Sequence, residues 1–426
     1  MQKPIIESVW AEEILDSRGN PTVQAEVLLS DGSHGIAAAP SGASTGKYEA
    51  YELRDKEGRY GGKGVLRAVR NVNEEIAKAL IGKDASCQKD IDKTLLALDG
   101  TEQKRNMGAN ALLAVSMATS RAAASHFKMP LWRYLGGITG QRMPVPMMNI
   151  INGGAHSANA LDVQEFMIVP VGAENFAEGV RMGSEIYHTL GAMLKSAGYS
   201  VGLGDEGGYA PELSSAEEAM EWMMKAIEKA GYTDKEVKIS LDIAASEWYD
   251  ENGYTLKKSG ARLSSEELVN LVESWVQSFP IFSVEDALSE DDWDGWRMIT
   301  EEIGDDVCLV GDDLFVTNPV RLQIGMHKMC ANAILIKPNQ IGTVTETLDV
   351  IAMARDGGYR HILSHRSGDT EDSYIADLAV ATSASFIKTG APCRSERVSK
   401  YNRLTVIERE MGADALYGQW HSAFLP

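Results

Sequence analysis

Six short apolar runs in the second half of the chain each end in a charged or polar side chain, at nearly even spacing. They are KISLDIA with Asp242, IFSVEDA with Glu285, VCLVGDD with Asp312, AILIKPN with Lys337, RHILSHR with His365 and ASFIKTG with Lys388. The last four intervals are 27, 25, 28 and 23 residues, room for one strand, one crossover helix and two loops, as parallel pairing requires. Six such repeats predict a closed βα barrel, in which the side chains at the carboxyl ends of the strands converge on one face. Three acids, two lysines and a histidine then share one mouth.

A barrel takes about 250 residues, so a chain of 426 leaves room for a second, smaller domain. Residues 22–27 alternate apolar and polar side chains, Asp31-Gly32 follows as a turn, and residues 34–39 return, which reads as an antiparallel hairpin. Val65, Val69, Val72, Ile76 and Leu80 share a helical face, and residues 110–124 are rich in alanine and leucine. Strands followed by helices predict an α+β cap over residues 1–140. The periodicity stops around Leu135-Gly136-Gly137, and Pro144 and Pro146 precede the next apolar run, which places the barrel domain at residues 141–426. The 43-residue interval from Asp242 to Glu285 holds turn signals at Asn252-Gly253 and Ser259-Gly260, so an excursion through residues 249–262 makes the barrel irregular there.

A formal charge of -20 repels nucleic acid and anionic membrane alike, which excludes nonspecific binding to either. An apolar fraction of 44% and a charged fraction of 24% are those of a folded globular protein. No apolar stretch approaches the roughly 20 residues of a membrane span, and the acids in MQKPIIESVWAEEILD stand where a signal peptide is apolar. Cys87, Cys308, Cys330 and Cys393 show no CxxC spacing, so neither a disulfide framework nor a thiolate metal site is indicated. The expectation is a cytoplasmic protein.

Asp242, Glu285 and Asp312 are hard oxygen donors from successive strand ends, the donor type Mg²⁺ prefers. Any one acid could merely cap a loop; the barrel brings the three together. Lys337 and Lys388 end apolar strands, where burial and nearby cations lower a lysine's pKa towards that of a general base. Snorkelling or a structural ion pair is the alternative. Gly204-Asp205-Glu206-Gly207-Gly208 is either an ordinary acidic turn or one that brings a carboxylate up to a ligand. Residues 41–46, SGASTG, suit a mobile lid or a flexible connection, and lack the GK[ST] ending of a phosphate-binding P-loop. His365-Arg366-Ser367 groups an imidazole, a guanidinium and a hydroxyl suited to a phosphate. Beyond Glu285, the acidic run to residue 294 reads as a mostly solvated face.

These segments together resemble the enolase family. SRGNPTV at residues 17–23, SGASTG, NGGAH at 152–156, QEFM at 164–167, GDEGG, the SLD, VED and GDD acids, IKPNQIGT at 336–343, SHRSG, IKTGAP and RSER at 394–397 stand in the family's order, from about residue 10 to about residue 410. The resemblance implies a TIM-like barrel and a Mg²⁺-dependent lyase of glycolysis that interconverts 2-phosphoglycerate and phosphoenolpyruvate. It implies that Asp242, Glu285 and Asp312 hold a first Mg²⁺, and that Ser44 joins substrate oxygens around a second. Lys337 matches the family's base, Glu206 the acid that protonates the departing hydroxyl, and Glu165 the carboxylate beside it. His156, Gln164, His365, Arg366, Ser367 and Lys388 match substrate contacts. Homodimers and homo-octamers both occur in the family. Asp369 stands where many members have glutamate, and residues 418–426 match no motif; neither departure is expected to touch a proposed ligand.

This set suits the reaction so implied. Removing a proton beside a carboxylate puts a second negative charge on the same oxygens, so cations must already be in place. Five carboxylates against Lys337, Lys388 and Arg366 leave a net -2; two Mg²⁺ make the mouth roughly +2 against a substrate of roughly -3. The metals lower the pKa of Lys337, while Glu206 is expected to stay protonated by sharing a proton with Glu165. Two other readings are open: a superfamily relative acting on a sugar acid, and a protein that kept the fold and lost catalysis.

Overall fold

The computed structural model describes residues 3–42, 46–56, 58–140, 142–157, 159, 161–257 and 260–418. Ser44 lies outside them. The chain begins with an antiparallel meander of β1 (Ile6–Leu15), β2 (Pro21–Leu29) and β3 (His34–Ala38). The hairpin read from the sequence is β2–β3, with Gly32 at φ +86° in its turn. β1 was not foreseen, because IESVWAEEIL carries four acids and polar residues among its apolar ones and its outer face is exposed. Helix α1 (Ala109–His126) packs on this sheet with almost its whole circumference buried. The approach is so close that a Cβ on Gly35 would lie 2.3 Å from the Ala118 carbonyl oxygen, and the alanines of α1 leave the room that this spacing needs. Of the face expected from residue 65 onward, Val65, Val72, Ile76 and Leu80 are fully buried.

Eight strands then close into a barrel in sequence order: β4 (Val145–Asn152), β5 (Glu165–Val169), β6 (Lys238–Asp242), β7 (Ile281–Glu285), β8 (Cys308–Gly311), β9 (Ala333–Ile336), β10 (Arg360–Ser364) and β11 (Phe386–Lys388), with β11 pairing back onto β4. The six strands read from the sequence are β6 to β11, and each foreseen side chain ends its strand or follows it directly. The first two were legible only as apolar runs. They form a hairpin in which β5 runs antiparallel to both β4 and β6, with a single 3₁₀ turn, Gly154–His156, described between them rather than a crossover helix, so the 25-residue rhythm fails there. The reversal places the first residue of β5, Glu165, at the same end as the last residues of its neighbours, opposite Asp242 and Asn152. The expected excursion between Asp242 and Glu285 is a small antiparallel sheet of Tyr249–Asp250, Gly253–Thr255 and Arg262–Leu263.

The acidic run after Glu285 is solvated only in part. Asp291 and Asp294 are exposed, whereas Asp286, Ala287, Leu288 and Ser289 are buried, and Asp292 accepts from the Tyr254 and Ser265 hydroxyls at 2.7 and 2.6 Å while capping a helix through the Gly295 amide. Asp286 and Asp292 spend their charge on internal donors, a use that a run of acids does not announce.

The meander and α1 are fastened to the barrel by Arg121, whose two terminal nitrogens each lie 2.7 Å from an Asp372 oxygen, and Asp372 also accepts from the Ala38 amide at 2.9 Å. Burial pushes the Asp372 carboxyl up, but Arg121 and these hydrogen bonds outweigh it and hold its pKa below the usual range. A depressed folded-state pKa gives stability that is present above the unfolded value of about 3.9 and is lost as pH falls through the folded one. Asp372→Asn should therefore lower unfolding stability by about 2 kcal/mol at neutral pH, the scale of a charge-assisted hydrogen bond. Thermal melts of variant and parent should converge as the pH drops below about 3.9; a gap that persists there would refute the assignment. Among the described residues no helix is long and apolar enough to cross a membrane.

Candidate active site

A cavity at the carboxyl ends of the barrel strands brings together nearly every residue singled out from the sequence. His156, Gln164, Glu165, Glu206, Asp242, Asp312, Lys337, His365, Arg366, Ser367 and Lys388 line it. Glu285 lies just beneath, fully buried.

Its centre is Lys388. The ammonium lies 2.8 Å from Glu285 Oε1, 2.9 Å from Asp242 Oδ2 and 3.2 Å from Glu165 Oε1, one carboxylate for each of its three N–H groups. Burial pushes its pKa down, yet these carboxylates overcome burial and hold it well above the usual value. Lys337 likewise reaches Asp312 Oδ2, and although burial lowers its pKa, Asp312 raises it further. In the ligand-free site the nearest charge to Lys337 is thus Asp312, with Arg366 and Lys388 acting with burial against it; the lowering expected of Lys337 belongs to the site with metal bound.

The acids are held from behind. Asp286, at φ +44° in the left-handed region that side chains disfavour, turns its carboxylate back to accept from the Asp312 and Asp313 amides at 3.0 and 2.8 Å. Gln340 donates to the other Asp312 oxygen at 3.1 Å. Burial and the Asp312 charge push Asp313 up to about 8.

The donor set fits a hard divalent cation. Asp242, Glu285 and Asp312 are all carboxylates, two ammonium groups already lie against them, and among the described residues the buried Glu165 Oε2 and Glu285 Oε2 have no hydrogen-bond partner. Among the described residues, the groups of three whose ligand atoms lie within 4.8 Å of one another are His156, Glu165 and Glu206, and Asp286, Asp312 and Asp313. The trio expected from the sequence, Asp242, Glu285 and Asp312, sits on adjacent strands but is not drawn that close: Lys388 lies against Asp242 and Glu285, and Lys337 against Asp312.

On the β4–β5 side, Glu206 stands on a turn that needs glycine, with Gly207 at φ +88° and a Cβ on Gly208 only 2.7 Å from Asn152 Oδ1. Asn149 donates to Glu206 Oε2 at 3.2 Å, and His365 Nε2 lies 3.2 Å from the same oxygen. His156 Nδ1 is 3.5 Å from Glu165 and 3.8 Å from Glu206. Burial pushes Glu206 up, but His365, His156 and Arg397 outweigh it and hold it well below the carboxylate range. Glu165 is driven well above that range by burial and by Glu206, with Lys388 opposing. The surroundings thus pull the two carboxyls of the pair in opposite directions, Glu206 down and Glu165 up. The histidines and arginine that decide this come from distant parts of the chain.

Arg366 is clasped by Glu49, with Nη1 to Oε2 at 3.1 Å and Nη2 to Oε1 at 3.2 Å. Glu49 carried no signal in the sequence beyond following SGASTG; Asp286, Asp313, Gln340 and Arg397 sat inside the quoted motifs without a role. Asp369 is not remote from the site, as was expected: its Oδ2 accepts from the Arg366 amide at 3.3 Å and its Oδ1 from Lys400 at 3.1 Å. It is a support for a cavity residue, and its shorter side chain is part of how Arg366 is held.

A family model for the enolase N-terminal domain matches residues 6–135, and one for the enolase C-terminal TIM barrel domain matches residues 140–423. The chain belongs to the enolase family. It is thereby an enzyme, a lyase of the enolase superfamily, on an α/β barrel whose mouth carries acidic clusters able to hold metal.

Proposed function

We propose that the protein catalyses the reversible, Mg²⁺-dependent dehydration of 2-phosphoglycerate to phosphoenolpyruvate. The observation that carries this is the placement of base and acid. Lys337 follows β9 and Glu165 begins β5, four places apart in a ring of eight strands, so a ligand in the cavity meets a lysine on one face and a carboxylate pair on the other. Removal of a proton from one carbon and loss of hydroxide from the next needs that two-sided arrangement.

In this reading Asp242, Glu285 and Asp312 hold the first Mg²⁺ and Ser44 contributes at the second; the ions supply positive charge where the substrate carboxylate becomes dianionic. Lys337 takes the α-proton once Asp312 no longer neutralises it alone. Glu206 delivers a proton to the leaving hydroxyl, drawn from the store on Glu165. Arg366, released from Glu49, and Ser367 bind the phosphate; Lys388, His156, Gln164 and His365 orient the remainder. A cytoplasmic location and an assembly of two or eight copies belong to the same reading.

The direct test is to add 2-phosphoglycerate and Mg²⁺ and follow the ultraviolet absorbance of the enol phosphate, with and without chelator. Absorbance should rise with metal and stay flat with chelator. Silence in both, with keto-acid released from an aldonic acid instead, would replace this reading with that of a sugar-acid dehydratase.

A further inference from the structure

We propose that Arg397 is a positioning residue for the acid side of this site: by donating to Nδ1 of His365 it fixes the ring with its hydrogen on Nε2, facing Glu206. The catalytic consequence rests on the reaction proposed above; the state of the ring does not. A guanidinium has five N–H donors and no acceptor. Arg397 Nη1 lies 2.6 Å from His365 Nδ1, so Nδ1 must accept, and the hydrogen of a neutral imidazole is left on Nε2, which lies 3.2 Å from Glu206 Oε2 and, among the described residues of the ligand-free site, forms no hydrogen bond.

The rest of the guanidinium spans the loops that carry these two residues. Nη1 also donates to the Arg366 carbonyl at 2.6 Å, and Nη2 to the carbonyls of Ser367 at 2.7 Å and Asp205 at 3.2 Å. One planar fork thus sets the main chain after His365 against the residue before Glu206. The turn following Lys388 is shaped around the arginine stem: a Cβ on Gly390 would lie 2.8 Å from Arg397 Cδ. Arg397 itself is fully buried, and a lysine there could reach one of these acceptors but not all four.

The hydrogen's place decides what Glu206 can do. With the hydrogen on Nε2, the ring presents no lone pair to Glu206, and a proton arriving on the carboxylate is not taken by the ring. In the opposite tautomer Nε2 would present a lone pair, accept from protonated Glu206 and hold that proton back from a leaving hydroxyl. The charged groups around the ring are Glu206 on the 204–208 turn, Asp369 on the loop after β10, Lys388 at the end of β11, and Arg397 and Lys400 on the helix Ser395–Met411. Burial pushes His365 down to about 4, with Glu206 opposing and Arg397 adding to burial, so the ring stays neutral at working pH.

The experiment is nitrogen NMR of protein labelled in histidine, with His365 assigned by its loss in His365→Gln. Its Nδ1 should be unprotonated and Nε2 protonated throughout about pH 5–8, where an ordinary histidine titrates. In Arg397→Met and Arg397→Gln the ring should mix tautomers, and kcat for 2-phosphoglycerate should fall about 10- to 100-fold. KM should stay within about threefold, since binding contacts remain. An Nδ1–H ring in the parent would overturn the proposal, as would variants that lose kcat with the His365 signals unchanged. Should the variants fail to fold, the parent spectrum decides alone. An Nε2–H ring in a protein that never turns over 2-phosphoglycerate would support the role of Arg397 and remove the reaction.

Discussion

Lys337→Ala is expected to eliminate exchange of the substrate's α-proton with solvent and to lower turnover by about 10²- to 10⁴-fold, the range for loss of a general base. Lys337 directly follows β9, its side chain is only 13% exposed, and its ammonium touches Asp312. Glu206→Gln should behave oppositely, keeping exchange but blocking loss of hydroxide. Because Glu165 and Glu206 stand against the same His156 ring, at 3.5 and 3.8 Å, Glu165→Gln should share the Glu206→Gln phenotype. Isotope exchange in deuterated buffer, read beside product formation, separates the two halves. Normal exchange in Lys337→Ala would remove the base assignment; lost exchange in Glu206→Gln would merge the two roles.

The second large effect is expected at Lys388. Lys388→Met keeps the side-chain volume but leaves Asp242, Glu285 and Glu165 around a site with no cation. Breaking a buried ion pair from one side costs about 3–5 kcal/mol, because the abandoned charges remain buried. Metal-free protein should therefore melt well below the parent, and millimolar Mg²⁺ should restore much of the loss, since an ion that binds only the folded state stabilises it by mass action. Substrate binding should fall as well. A melting temperature unchanged by the substitution in chelator would show that the three acids are already neutral and that the ammonium does not hold them together.

Six barrel strands were legible because each is a buried run closed by a functional side chain, and because parallel pairing forces a crossover of nearly fixed length between them. β4 and β5 escaped that reading for the same physical reason: a hairpin needs no crossover, so its strands leave no interval to measure. The first-layer residues of the cavity were legible as chemistry, from acids, lysines and the His365-Arg366-Ser367 group. Their partners were not. Arg397 on His365, Glu49 on Arg366 and Asp286 behind Asp312 act across separations in the chain, so the motifs that contain Arg397 and Asp286 do not name the residue that each supports. Lys337 and Glu206 were read from the groups that a reaction requires around them; in the ligand-free site their charged neighbours are Asp312, and His365, His156 and Arg397.

The seam of the barrel runs between β4 and β11, where Val145 pairs with Phe386 and Met147 with Lys388. Those segments leave a ribosome roughly 10–50 s apart at ordinary rates of synthesis. During that delay Glu165, Asp242 and Glu285 are made and brought towards one another with no ammonium between them, and an open edge persists on each side of the gap. The last strand to arrive both zips the wall and delivers the charge that lets three acids be buried together. A nascent chain stopped before residue 386 is thus the form most in need of a chaperone, and the completed one is locked by the residue that its own acids were waiting for.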